Sequence, residues 1–312
     1  MLRAAIATAA TAVAACSRSG DCMRDVDAST LLQLRPLADA PPRCPDRPSS
    51  YGGSTALDVA WAADFHQLPG LKASVASAIR AVQGPLRAHI MVQRPAMPYF
   101  QKLFGMRPGC RSVEAFVGRA IVILHPFDSD LVGKSIPRMT PAMVKARGKL
   151  DSPEQAVRLY MHKLLDCKVV IWLDSDTIVK QDLTPLYSRF VKSGQTIAFA
   201  SREKPLRMMM NESNPCHFEP DVWGRLMDAP VYNSGVYIVD LEQWAHKRLS
   251  ERIERYVSDH NACDGKLWKA ADQVPLVLAF VLPVLRGQAP EYSVFGAEWN
   301  LDEMRCETSL QP

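Results

Sequence analysis

The segment Lys168-Val169-Val170-Ile171-Trp172-Leu173-Asp174-Ser175-Asp176-Thr177 limits the fold of this chain more than any other. Beyond Lys168, a continuous apolar run leads straight into two carboxylates separated by one small residue. A short apolar run of this Val/Ile content reads as a strand buried on both faces, as in a parallel sheet. Such sheets place their ligand crevices outside the carboxyl ends of strands, which is where Asp174 and Asp176 fall. Two hard oxygen donors at i and i+2 can share a divalent cation, and Mg²⁺ or Mn²⁺ held this way usually bridges to a substrate diphosphate. A D-x-D is otherwise an Asp-rich turn or a helix cap. The helix signal Asp182-Leu183-Thr184-Pro185 soon afterwards favours strand, turn, then helix.

The chain has 312 residues, 47% hydrophobic and 22% charged, enough for one large α/β domain or two small ones. A formal net charge of +4 is too modest to argue for nucleic acid, and none is expected as a partner. No run reaches the roughly eighteen apolar residues of a spanning helix.

Residues 1–20 carry Arg3, an Ala/Thr/Val run and no acid before Asp21. This resembles a secretory signal or signal anchor, which would associate the chain with a membrane; an organelle transit peptide, plastid included, is the alternative. The expected compartment is the secretory pathway or Golgi. Residues 21–54 include Pro36, Pro41, Pro42, Pro45 and Pro48 and read as a linker. The folded domain is expected over 55–312. Eight cysteines form no C-x-x-C pair, which argues against a zinc ribbon or thioredoxin-like centre, and their spacing fixes no disulfide pairing.

The domain opens as strand–helix–strand: Ala56 to Ala63, a helix from Pro69, then Ala88 to Val92. Arg94 to Gly109 reads as a loop, Gly118 to His125 as a strand, and Gly133 to Lys149 as a basic loop. Ser152-Pro153-Glu154 begins a helix by capping chemistry. Gln195 to Ala200 is a short strand, Arg202 to Asp221 is irregular, and Val231 to Asp240 is a strand interrupted at Asn233-Ser234-Gly235. A glycine there suggests a bulge or a close approach of backbone to ligand. Leu241 to Val257 reads as one amphipathic helix, Ala271 to Leu282 as another, and Glu291 to Phe295 as a last strand.

Several of these stretches, in this order, resemble the family 8 retaining glycosyltransferases. They are Val59-Ala60-Trp61-Ala62-Ala63-Asp64, Arg158-Leu159, Val170 to Thr177, and Asp182-Leu183-Thr184-Pro185-Leu186-Tyr187. Tyr232-Asn233-Ser234-Gly235-Val236, Trp244, Asp272-Gln273 and Trp299-Asn300 follow. The resemblance implies a GT-A fold: a Rossmann-like mixed sheet flanked by helices, forming a single nucleotide-sugar-binding domain. It also implies a metal-dependent hexosyltransferase that moves a hexose from a UDP-sugar to a glycan, lipid or protein acceptor. Asp174 and Asp176 would hold Mn²⁺ or Mg²⁺. Ala62, Asp64, Arg158, Asp174, Ser175, Asp176, Asn233, Ser234 and Gly235 would bind the donor. Asp272 would hydrogen-bond the sugar hydroxyls, and Gln273 would face the anomeric carbon.

Two departures from the family pattern stand out. His66 replaces a polar amide that some relatives place at the nucleotide, and no late His-x-x-G-x-x-K-P-W segment precedes Pro312. The expectation is that this C-terminal segment is missing, which leaves a non-catalytic sugar-nucleotide-binding relative as the alternative. A second alternative is a haloacid-dehalogenase-like phosphatase with Asp174 as nucleophile and Asp176 as acid/base. More than a hundred body residues precede that motif, and no later acidic pair completes it.

Overall fold

The apolar run of 169–173 forms the middle of an eight-stranded mixed sheet. This computed structural model describes residues 56–106, 113–117, 120–137, 152–213, 215–216, 218–269 and 273–299. The leader, the linker, most of the basic loop, Asp272 and Asn300 lie outside the described residues.

Strand β1 (Leu57–Ala62), helix α1 (Leu68–Ala81) and β2 (Leu86–Gln93) build the expected parallel unit, with Leu57 opposite Leu86. The next described elements are α2 (Met97–Leu103), β3 (Val113–Val117) and β4 (Ala120–Phe127). After them come two short helices, α3 (Pro153–Ala156) and α4 (Met161–Leu164), bridged by a 3₁₀ turn, and then β5 (Val169–Leu173). The chain continues through α5 (Thr184–Ser193), β6 (Ile197–Pro205), α6 (Pro220–Asp228) and β7 (Pro230–Asp240). It closes with α7 (Leu241–His246), α8 (Leu249–Ala262), α9 (Gln273–Leu285) and β8 (Tyr292–Phe295). In space the strands run β3-β4-β2-β1-β5-β7-β6-β8. Pairs among β4, β2, β1 and β5 are parallel, as is β6 with β8; β3 and β7 run against their neighbours.

Period-two alternation divides each strand between two cores. Val170 and Trp172 of β5 join the cluster with α8 and α9, whereas Val169, Ile171 and Leu173 join the cluster with α1 and α5. Both faces are therefore covered, as the continuous apolar run requires. Full burial of each large side chain contributes on the order of 1.5–3 kcal/mol.

Several expectations are corrected. The Arg94–Gly109 loop contains α2, which Pro98 starts rather than prevents, because proline fits the first helical turn. Ser152 makes no side-chain cap, and Pro153 alone marks the start of α3. The irregular Arg202–Asp221 stretch continues β6 to Pro205, and α6 begins at Pro220 with Val222, Trp223, Leu226 and Met227 buried. Leu241 to Val257 is two helices, because Arg248 takes a left-handed conformation (φ 52°) that no continuing α-helix allows. The interruption expected in β7 is present as a bulge: Phe199 pairs with Tyr237 but Ala200 pairs with Asn233, so Ser234 to Val236 are extra residues against β6. A disulfide joins Cys216 to Cys263, and Cys167 is a free thiol.

Candidate active site

The two carboxylates sit on a turn that the sheet itself holds. The Asp174 N–H donates to the Gly235 carbonyl at 2.8 Å, extending the β5–β7 ladder one residue past Leu173. The Thr177 N–H then donates to the Asp174 carbonyl at 3.0 Å and closes a four-residue turn. Ser175 is buried in that turn and Asp176 is exposed. Helix α1 packs directly on it: a Cβ on Gly70 would lie 3.0 Å from the Ser175 carbonyl oxygen, so only glycine allows this approach without displacement.

Trp172 and Asp174 stand two residues apart, hence on one face. The Trp172 indole Nε1–H donates to Asp174 Oδ1 at 2.8 Å, and Arg158 Nη1 approaches the same oxygen at 3.3 Å. Arg158 is only 5% exposed, whereas the Asp174 side chain is 43% exposed. The guanidinium also donates to the Ser234 carbonyl (2.9 Å) and hydroxyl (3.0 Å), and it lies over the Trp172 ring. It thus ties the end of β5 to the β7 bulge.

A cavity of about 640 Å³ opens in front of this edge, a size typical of small-molecule sites. Asp174, Asp176, Asn233, Gly235, Gln273 and Arg202 are among the residues that line it. Gln273, at the start of α9, donates its Nε2–H to the Tyr232 carbonyl at 2.7 Å. Because that partner only accepts, the amide nitrogen must face Tyr232 and the amide oxygen lies at the other end of the group. Asn233 Oδ1 accepts from the Gly235 N–H at 2.9 Å, an Asx turn that shapes the bulge.

Other residues expected at the site lie around this wall rather than in it. Among the described residues, Ala62, Asp64, Arg158, Ser175 and Ser234 are not part of the cavity lining. Ala60 stands opposite Trp172, so β1 delivers Ala62 to Asp64 to the same sheet edge as Asp174. Asp64 caps a 3₁₀ turn there, accepting from the Gln67 N–H at 2.9 Å while Gln67 Oε1 accepts from its N–H at 3.0 Å. Asp272 lies outside the described residues. Sequence reasoning assigned no role to Trp172, Gly70 or Arg202. Trp172 could have been found from its i, i+2 spacing to Asp174; Gly70 and Arg202 carry no local signal.

One buried polar cluster lies away from the cavity. Arg87 donates to both oxygens of Asp58 at 2.6 Å, His89 Nε2 lies 2.8 Å from Asp58, and His89 Nδ1 lies 2.9 Å from His125 Nε2. Burial alone would raise the Asp58 carboxyl, but hydrogen bonds from His89 and Arg87 outweigh it and hold the group below the usual range. Burial, then the neighbouring His89, push His125 well below the ordinary histidine value. Asp58, His89 and Cys167 lie close enough to hold a metal, and theirs is the one such group of three among the described residues. The guanidinium that occupies both Asp58 oxygens makes this an ion-pair network instead.

The D-x-D pair, by contrast, is supplied only with hard carboxylate oxygens, one exposed and one half-exposed, at a cavity wide enough for a diphosphate. That donor chemistry fits Mg²⁺ or Mn²⁺, which typically take one or two protein carboxylates and complete their shells with substrate phosphates and water. Among the described residues, no helix is long and apolar enough to cross a membrane.

Comparison with known proteins gives a consistent picture. Residues 132–301, more than half of the chain, match the sequence model of Glycosyl transferase family 8. A probable galacturonosyltransferase-like 10 of Arabidopsis thaliana is 27% identical over 152 residues, covering 43% of this chain and 37% of that protein. A glycosyltransferase 8 domain-containing protein 1 of Xenopus laevis is 26% identical, covering 36% of this chain and 35% of that protein. The chain thus spans little more than a third of the length of these two relatives. The solved structure of the galactosyltransferase LgtC in complex with donor and acceptor sugar analogues superposes with a TM-score of 0.54. It covers 76% of this chain and 73% of that one at 14% identity, which establishes the shared GT-A fold. Nothing in these matches supports the phosphatase alternative.

Proposed function

The chain belongs to glycosyl transferase family 8, and on that premise we propose that it moves a hexosyl unit from a UDP-sugar to a glycan, lipid or protein acceptor with retention of anomeric configuration. The observation that carries this reading is the arrangement of Asp174 and Asp176 at the end of β5, on a cavity that Asn233 and Gln273 also line. The first pair suits a diphosphate and its cation; the second suits an uncharged sugar ring.

In this reading the bond between the anomeric carbon and the β-phosphate oxygen breaks, and its electron pair leaves with UDP. A divalent cation bound at the carboxylates would stabilise that charge as a Lewis acid. Trp172 and Arg158 both contact Asp174 Oδ1, which would orient the carboxylate for this role. Asn233 and the bulge backbone at Gly235 would orient the sugar. The Gln273 amide oxygen, free of the Tyr232 contact that its nitrogen makes, would face the positive character developing at the anomeric carbon. An acceptor hydroxyl then forms the new carbon–oxygen bond, and its proton passes to the departing β-phosphate oxygen or to water. Asp64 and Ala62 would border the nucleotide end, and Asp272 would contact sugar hydroxyls.

A secretory or Golgi location fits this reading. It is supported by the leader-like residues 1–20 and by the Cys216–Cys263 disulfide, which belongs in an oxidising compartment. The reading is tested by incubating the full chain with Mn²⁺ and a panel of UDP-sugars and measuring UDP release. Turnover of at least one donor that drops by about 10²-fold or more in Gln273→Ala is expected. Turnover unaffected by that substitution would remove Gln273 from the reacting centre.

A further inference from the structure

The stretch Asn211-Glu212-Ser213 takes no part in the donor cavity, whose lining includes no residue from 209 to 216. The chain holds five asparagines, and Asn211 is the only one with Ser or Thr two residues later. An Asn-x-Ser with x other than proline is the acceptor pattern for N-linked glycosylation. Such a triplet is often no more than a polar turn, so the local structure has to decide.

Asn211 opens a turn that the fold holds from both sides. Before it, Met210 pairs with Trp268 in an antiparallel bridge, and the Lys269 N–H donates to the Met209 carbonyl at 2.7 Å. The Asn211 N–H itself donates to the Leu267 carbonyl at 2.9 Å. After it, the Trp223 indole N–H donates to the Glu212 carbonyl at 3.3 Å, and Cys216 is bonded to Cys263. The backbone is thus pinned while Asn211 stays half-buried and Glu212 and Ser213 are exposed. The side chains are arranged as well. Ser213 Oγ–H donates to Asn211 Oδ1 at 3.0 Å, so the oxygen end of the amide is occupied by the hydroxyl of its own triplet. The nitrogen end, Nδ2, has no hydrogen-bond partner among the described residues. A substituent on Nδ2 would therefore break no hydrogen bond of the fold, and the backbone contacts that hold the turn would remain.

We propose that Asn211 is an N-glycosylation site of this chain, with the glycan on the turn beside the Cys216–Cys263 disulfide and outside the donor cavity. The proposal rests on the secretory reading of the leader and is independent of the transferase reading. The disulfide supports that compartment on separate grounds, because such bonds persist where the surroundings are oxidising. The co-reactant is an oligosaccharide carried on a lipid diphosphate, presented by a transferase of the host membrane. Nδ2 bonds to the anomeric carbon of that oligosaccharide and loses one of its two protons to a base. The carbon–oxygen bond to the phosphate breaks, and its electron pair leaves with the lipid diphosphate. The product is a surface glycan on a loop, the usual place for this modification.

The test expresses the full chain with its own leader in eukaryotic cells and treats the product with a peptide N-glycosidase, which releases the glycan and leaves aspartate in place of the modified asparagine. The expected result is a single shift to lower apparent mass, with the conversion to aspartate found at Asn211 by peptide mass spectrometry. The shift should be lost completely in Asn211→Gln and also in Ser213→Ala, which keeps the asparagine and removes only the hydroxyl. The state of Cys216 and Cys263 is read on the same product. An unmodified Asn211 in protein whose Cys216–Cys263 bond has formed would overturn the proposal and leave the secretory reading standing. An unmodified Asn211 with both thiols free would overturn the two together. A shift that persists in both variants would assign the glycan to another residue and overturn the proposal as well. None of these outcomes touches the transferase reading.

Discussion

Trp172 Nε1 donates to Asp174 Oδ1 at 2.8 Å, so the strand that carries the carboxylate also fixes its rotamer. A half-exposed aspartate after a strand would otherwise sample several orientations. With the indole on one oxygen and Arg158 near it, the carboxylate is set before a ligand arrives.

Replacing Trp172 with Phe keeps an aromatic ring under Arg158 but removes the donor to Asp174. One hydrogen bond to a charged, partly solvated group contributes about 1–2 kcal/mol. Affinity for UDP with Mn²⁺ should fall about 5- to 30-fold, and any residual cation-free binding should be unchanged. Parallel titrations with and without the cation check this, and an equal loss in both would place the indole elsewhere in the binding energy.

Arg158→Ala removes a buried guanidinium that bridges Asp174 and the carbonyl and hydroxyl oxygens of Ser234. The Asp174 side chain is 43% exposed, so the ion pair is screened and most of the effect comes from the Ser234 contacts. A stability loss of about 1.5–3 kcal/mol is expected in denaturant unfolding. Arg158→Lys should recover part of it.

How much of this was legible from residues alone follows from the kind of signal each element carries. The run Val169 to Leu173 announces itself because a strand buried on both faces needs no polar partner. The α1 face at Leu71, Val75 and Ala78 is equally plain from helical spacing. Helices α2 and α6 hid behind Pro98 and Pro220, residues that break a helix interior but begin a helix well. The break at Arg248 has no local signature, because an arginine has no propensity for the left-handed conformation it takes there. Arg202 was unreadable for a related reason. Its place in the cavity comes from a register shift between strands far apart in sequence.

Gly70 makes a sharper prediction about the D-x-D turn. A Cβ at this position would sit 3.0 Å from the Ser175 oxygen, so Gly70→Ala should be tolerated with a small loss. Gly70→Val adds branched bulk that a shift of a few tenths of an ångström cannot accommodate, with strain of about 1–3 kcal/mol. Cation-dependent UDP binding should weaken in the valine variant well beyond the alanine variant; equal behaviour of the two would exclude the close approach.

The Asp58–His89–His125 network predicts the direction of acid sensitivity. The folded His125 value is depressed, so the unfolded chain takes up a proton near pH 6.5 that the folded chain refuses. The stabilisation is complete above that pH and is lost as pH falls toward the folded value; Asp58, also depressed, adds a second loss below about pH 4. The melting temperature should be flat above about pH 7 and decline below 6.5. His125→Gln should lower the plateau and flatten the first decline. An unchanged slope in that variant would move the origin of the sensitivity to another group.

The most direct measurement is calorimetric titration of UDP into the full chain with and without Mn²⁺, on the wild type and on Asp176→Asn. The expected result is binding that requires the cation and weakens by at least about 10-fold in the variant, in which one of two hard oxygen donors has become an amide. Cation-independent binding, or equal binding by both proteins, would contradict a donor site built on Asp174 and Asp176.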